Sequence, residues 1–221
     1  MTEELKNLEL IANENIELAQ KEKNYVKQLN ITIINELKRA KARKEFAQKE
    51  LKLNIIREDL IDVYNKLIKK KKDLKEQELL GINDKEIEIE TDFSKYLDLI
   101  AKIQSEIAQI QFKIAENEIK IANKKSLIAY ERNYIANERF ELSNKINDYI
   151  KAVRRGKSEK KISKLQDKYL TIQETLIKNR KDIFSDLNNL KKMENELIDL
   201  KKDLSTKLIE REKIRPKLKN L

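Results

Sequence analysis

The chain contains 221 residues, of which 40% are charged, and its formal net charge is +10. It has two glycines, one proline and neither cysteine nor histidine. This composition excludes disulfide bonds, thiolate metal sites and catalysis by a nucleophile–histidine pair. It is also too poor in turn residues for a globular fold with many loops, whereas highly charged chains with few helix breakers are typical of long helices and coiled coils.

The first predicted helix covers residues 2–80 and carries two neighbouring columns of residues spaced by seven. Large side chains form one column: Ile11, Leu18, Tyr25, Phe46, Leu53, Leu60, Leu67 and Leu74, with Thr32 and Arg39 as polar interruptions. Smaller side chains form the other: Ala12, Ala19, Val26, Ile33, Ala40 and Ala47. An α-helix has 3.6 residues per turn, so a strict spacing of seven keeps each column near one face and favours a left-handed coiled coil.

The second predicted helix covers residues 93–155, after a predicted linker at 81–92. Within it the pair Ile-Ala recurs six times between Ile100 and Ala136, always at an interval of seven. A large residue beside a small one on a single face allows another helix to approach closely. Gly81 and Gly156 are expected to mark the two turns. Gly81 is placed as a cap at the C-terminus of the first helix, and Gly156 follows basic residues whose charge suits the C-terminus of the second.

The third predicted helix covers residues 158–217 and repeats the pattern. Its heptad column contains Ile162, Tyr169, Leu176, Ile183, Leu190, Leu197 and Leu204. Because short connections make successive helices antiparallel neighbours, we expect an all-α fold in which residues 1–221 form a single elongated coiled-coil domain. This would be an antiparallel helical hairpin with the third helix packed along it, giving a rod-like bundle. Pairing between chains would produce the same columns and is the open alternative.

The N-terminal segment is the first candidate docking site. Because the first predicted helix is longer than the second, residues before about Glu17 are expected to project beyond the turn at 151–164. Their apolar face would then be free to dock on another subunit as a helix in a groove, unless the terminus is merely frayed. The residues concerned are Leu5, Leu8, Ile11, Ala12 and Ile16.

The predicted linker contains a second candidate site. Residues 86–90 read Glu-Ile-Glu-Ile-Glu, and this alternation has the period of two that is typical of a β-strand. Ile87 and Ile89 are expected either to pack on the end of the bundle or to add to the sheet edge of a partner protein.

Two basic clusters account for much of the positive charge. They comprise Lys69, Lys70, Lys71 and Lys72, and Arg154, Arg155, Lys157, Lys160 and Lys161. The plainer interpretation is that acidic residues of neighbouring helices balance these charges on solvated faces. The alternative is non-specific binding of nucleic-acid phosphates, which needs no base-stacking aromatic residues.

The sequence favours a non-enzymatic structural or interaction protein. It has no glycine-rich phosphate loop, and carboxylate pairs such as Glu116 with Glu118 are typical of a solvated helix surface. We expect no catalytic residues, no cofactor and no metal. We expect a rigid coiled-coil spacer or assembly subunit that contacts partner proteins through its ends, whether subunits of a large assembly such as a virion or further copies of itself.

Two other functional classes are weighed against this one: a basic coiled coil that binds nucleic acid, and a peripheral membrane-scaffold filament protein. The membrane class is disfavoured because the chain has no tryptophan and no wide apolar face. The acidic start of the chain lacks a secretion signal, so we expect it in the cytoplasm or in a particle assembled there.

Overall fold

The computed structural model describes residues 3–77, 81 and 83–219, without the side chains of residues 215 and 217–219. The described residues form three helices: α1 (Glu3–Glu76), α2 (Asp84–Arg154) and α3 (Glu159–Lys219). No strand occurs among them. The predicted all-α class is therefore confirmed.

The predicted linker at 81–92 is wrong over residues 84–92, because α2 begins at Asp84. Asn83 caps this helix: its side-chain Oδ1 accepts a hydrogen bond from the Lys85 amide at 3.2 Å, and its carbonyl accepts one from the Glu86 amide at 3.0 Å. Acidic residues in the first turn also suit the positive end of the helix dipole. These capping signals outweigh the strand-like alternation of isoleucine and glutamate.

The turn between α2 and α3 lies at Gly156, as predicted, and this glycine caps the end of α2. Gly156 adopts a φ of 58°. Its amide donates to the Val153 carbonyl at 3.0 Å, and the Lys157 amide donates to the Ala152 carbonyl at 3.1 Å. Together these bonds form a Schellman motif, which ends a helix at a residue in the left-handed region. The expected cap at Gly81 depends on residues that lie outside the described ones.

The chain divides into two compact units, and all three helices contribute to both. Unit 1 comprises residues 1–37 and 120–194. In its core Val26 and Ile33 of α1 pack on Ala122 and Ala129 of α2. The ion pairs between α1 and α2 follow opposite directions along the two helices. From Arg154 back to Arg132 and Lys125 in α2, the partner glutamates lie successively later in α1. The partners are Glu9 at 2.8 Å, Glu22 at 3.0 Å and Glu36 at 3.3 Å.

Unit 2 comprises residues 38–119 and 195–221. Its buried residues on α1 continue the small column and end in larger side chains: Ala40, Ala47, Asn54, Ile61 and Ile68. Arg43 pairs with Glu118 at 2.6 Å and links α1 to α2. Lys207 pairs with Glu106 at 2.6 Å and links α3 to α2.

Burial separates the two columns of α1, which the sequence pattern alone had placed on one covered face. The small column is buried, whereas the large column is 41–63% exposed at Ile11, Leu18, Tyr25, Phe46, Leu53, Leu60 and Leu67. Consecutive residues of a helix point about 100° apart. Turning the small column toward α2 therefore turns the large column away from it.

Candidate docking surfaces

The N-terminal segment of α1 is packed within unit 1, so the predicted overhang is wrong. Leu5 and Ala12 are buried, Leu8 and Ile16 are partly buried, and Ile11 is 43% exposed. The overhang was expected from an α2 beginning at residue 93. The observed α2 has 71 residues against 74 in α1, and Arg154 at its end pairs with Glu9 at 2.8 Å.

Leu8 and Ile11 instead line a cavity of about 200 Å³ in unit 1. The other walls include Arg139 of α2 and Arg180 of α3. Arg139 donates a hydrogen bond to Asn15 Oδ1 at 2.9 Å. Burial, and secondly the neighbouring charge of Arg180, lowers the pKa of Arg139. No local sequence pattern indicates this pair of guanidinium groups, because the two residues lie on different helices.

Ile87 and Ile89 lie in the first turns of α2, so the strand-like interpretation of residues 86–90 is wrong. Ile87 is buried and Ile89 is 49% exposed. Residues two apart in a helix point about 200° apart, which places one isoleucine inward and the other outward. Only Ile87 serves the core packing that the sequence suggested for both.

The basic cluster of unit 2 is only partly balanced by acidic residues. Lys71 pairs with Glu90 at 2.6 Å, and this hydrogen bond is the main cause that raises the pKa of Lys71. Lys69, Lys70 and Lys72 are exposed, and among the described residues they form no ion pair.

The basic cluster of unit 1 follows the end of α2. Arg154 pairs with Glu9 at 2.8 Å. The remaining cations are exposed: Arg155, Lys157, Lys160 and Lys161. Both clusters thus have one member matched by a carboxylate of a neighbouring helix and others directed to solvent.

An uncovered apolar stripe on α1 in unit 2 is a surface that the heptad column of large residues does not reveal by itself. It comprises Leu53, Ile56, Leu60, Val63 and Leu67, which are 41–63% exposed, and we call it the α1 seam. The leucines were identified as a heptad column. A second apolar column at Ile56 and Val63 completes the stripe, because alternating spacings of three and four define a coiled-coil interface.

Metal-binding clusters and membrane-spanning helices are both absent from the described part of the chain. No group of three or more acidic, histidine or cysteine side chains there could hold a metal ion. No described helix is long and apolar enough to cross a membrane.

Comparisons with protein-family models, curated proteins and solved structures return no match for this chain.

Proposed function

We propose that this protein is a non-enzymatic structural or interaction protein, a rigid coiled-coil spacer that joins other proteins in an assembly. The α1 seam is the observation that carries this proposal. Monomeric proteins rarely leave a continuous apolar stripe exposed, and such a stripe on a regular helix usually marks a contact with another protein.

Helix length and order support the spacer. A continuous helix of 74 residues spans about 111 Å at 1.5 Å per residue. The reversed order of ion pairs within unit 1, and likewise of Arg43–Glu118 and Lys71–Glu90 within unit 2, fits an antiparallel coiled-coil hairpin. We infer that the three helices form a single stiff rod of this kind.

Small-angle X-ray scattering tests the spacer directly. We expect the full chain to have a longest dimension of at least about 110 Å and a scattering profile of a rod. A longest dimension near that of a compact protein of this mass would contradict the proposal. Affinity purification from the native source, with and without nuclease, then identifies the assembly. Stoichiometric proteins that survive nuclease treatment are expected.

Binding of nucleic-acid phosphates is the second candidate. The exposed lysines and arginines of the two basic clusters favour it, since such groups release counterions from a nucleic acid on binding. Fluorescence anisotropy with duplex DNA between about 50 and 200 mM salt would measure the salt dependence. This candidate would be supported if affinity decreased steeply with salt concentration, and if that dependence became weaker when four residues are changed to glutamine: Arg155, Lys157, Lys160 and Lys161. If the affinity purification recovered proteins only in the absence of nuclease, binding of nucleic acid would become the first candidate.

A further inference from the structure

The α1 seam lies beside a face of the same helix that is already packed. Asn54, Ile61 and Ile68 are buried, whereas the seam residues on the adjoining face are 41–63% exposed. The seam residues follow the spacing three, four, three, four over about 21 Å of helix. A stripe of this geometry is matched by another helix, because its side chains insert between those of a helix with the same supercoil.

Charged residues flank the seam in a regular pattern. On one side lie Lys52, Asp59, Lys66 and Asp73, each seven residues after the last and each exposed. Among the described residues these four form no ion pair. The opposite side carries Arg57, Tyr64 and Lys71. The alternating sign of the first flank decides which partner helix would fit.

Two arrangements of a second copy of α1 are disfavoured by charge. In a parallel pair the first flank faces the second flank one turn further on, which places Lys52 against Arg57 and Lys66 beside Lys71, whose charge is already paired with Glu90 of its own chain. An antiparallel pair in which Leu60 meets the other copy's Ile56 sets Asp59 against Asp59 and Lys52 against Lys66. Like charges in these positions repel.

A second antiparallel register matches every charge on the first flank. When Leu60 meets the other copy's Val63, Ile56 meets Leu67, so four of the five seam residues meet an apolar partner and Leu53, at the edge, lies opposite the exposed Lys70. Flanks of the same kind face each other in antiparallel pairs. Lys52 then faces Asp73, and Asp59 faces Lys66. A two-fold axis near residues 61–62 repeats both pairs, so the interface is self-complementary.

We propose that the α1 seam binds a second copy of this chain, antiparallel, in the register that pairs Asp59 with Lys66. The partner is thus the same protein, and the interface is isologous. This inference deepens the proposed function by assigning one of its partners. If the dimer proposal fails, the spacer proposal is unaffected, because small-angle scattering tests the length of the protein separately.

Sedimentation velocity of the full chain, at concentrations up to about 1 mM, tests the dimer. Leu60→Glu is expected to weaken association at least tenfold, since it places a carboxylate in the apolar layer. Ile55→Glu is the matched control, because Ile55 is 59% exposed against 63% for Leu60 but lies off the seam. A monomeric wild-type chain, or equal weakening by both variants, would overturn the proposal. Unchanged circular dichroism excludes misfolding as the cause.

Charge reversal tests the register. Asp59→Lys is expected to weaken the dimer about tenfold, and adding Lys66→Asp is expected to restore association to within about threefold. Residues 59 and 66 are about 10 Å apart along one helix, so restoration requires contact between chains. If the double variant stays as weak as the single one, this register is wrong.

Cross-linking gives an independent check, because the chain contains no cysteine. We expect oxidation of a mixture of the Asp59→Cys and Lys66→Cys variants to yield mainly the mixed disulfide dimer. Predominant homodimers of the Asp59→Cys variant would indicate the rejected register and overturn the proposal. Chains that remain monomeric but bind anionic phospholipid vesicles through Leu60 would overturn it in favour of a membrane surface.

Discussion

Asn54 is the polar member of the buried column on α1. It is 1% exposed, and its Oδ1 accepts a hydrogen bond from Arg57 at 2.6 Å. Its Nδ2 finds no hydrogen-bond partner among the described residues. An asparagine at such a position costs stability, but it can specify how two helices align.

Replacing Asn54 with valine should raise the free energy of unfolding by about 1 kcal/mol. Valine has a similar volume and leaves no buried donor unpaired, while Arg57 keeps its bond to Gln104 at 3.1 Å. Urea denaturation measures the change. A loss of stability would mean that the bond between Arg57 and Asn54 outweighs the unpaired amide.

Glu131 is a carboxylate of unit 1 whose surroundings disfavour its charged form. Burial, and secondly the charge of Asp186, raises its pKa, while Lys124 acts in the opposite direction. Its Oε2 lacks a hydrogen-bond partner among the described residues. The folded state therefore binds this proton more tightly than the unfolded chain does. Stability from this group is fully present below the unfolded pKa and is lost as the pH rises through the folded pKa.

We expect Glu131→Gln to stabilise the protein by about 1 kcal/mol at neutral pH, or about 2–4 °C in melting temperature. The advantage should disappear in acid, where the wild-type carboxyl is neutral in both states. Melting curves at several pH values measure it. Glu174→Gln, an exposed carboxylate on α3, is the control and should change stability by less than about 0.5 kcal/mol. A pH-independent difference would contradict this explanation.

At the scale of the helices, the alanine columns decide how closely α1 and α2 pack. Ala122 and Ala129 are 0% and 1% exposed and touch Val26 and Ile33. Small side chains along both helices bring the backbones together and leave no room for a larger residue.

Ala122→Leu should therefore destabilise the protein by about 1–3 kcal/mol through overpacking. The same change at Ala42, which is exposed, should alter stability by less than about 0.5 kcal/mol. Thermal unfolding followed by circular dichroism compares the two variants. Equal effects would show that helix propensity, and not the close contact, accounts for the loss.

At the scale of the whole molecule, the three helices each contribute to both compact units. The sequence predicts a single domain, and helices that continue from one unit into the other should couple their unfolding. We expect one calorimetric transition whose calorimetric and van't Hoff enthalpies agree. Two separated transitions would show that the units unfold independently.

The sequence by itself determined the helical class and much of the pattern of burial. Heptad spacing identified the alanine column of α2 and the column of α3 from Tyr169 to Leu190 as buried, and both are. Gly156 could be predicted as the site of the turn between α2 and α3, because the left-handed conformation at the end of a helix strongly favours glycine. These are local properties, which depend on spacing and on backbone preference.

Only the tertiary structure decided which face of α1 is covered. Its two columns lie side by side and are both apolar, so periodicity cannot say which of them meets α2. The small column of α1 meets α2 because the alanines of α2 allow the closest approach there. That choice packs the N-terminal segment in unit 1 and leaves Leu53 to Leu67 exposed in unit 2. The covered face of α1 is set by contacts between helices that are distant in the chain, and a local pattern does not encode those contacts.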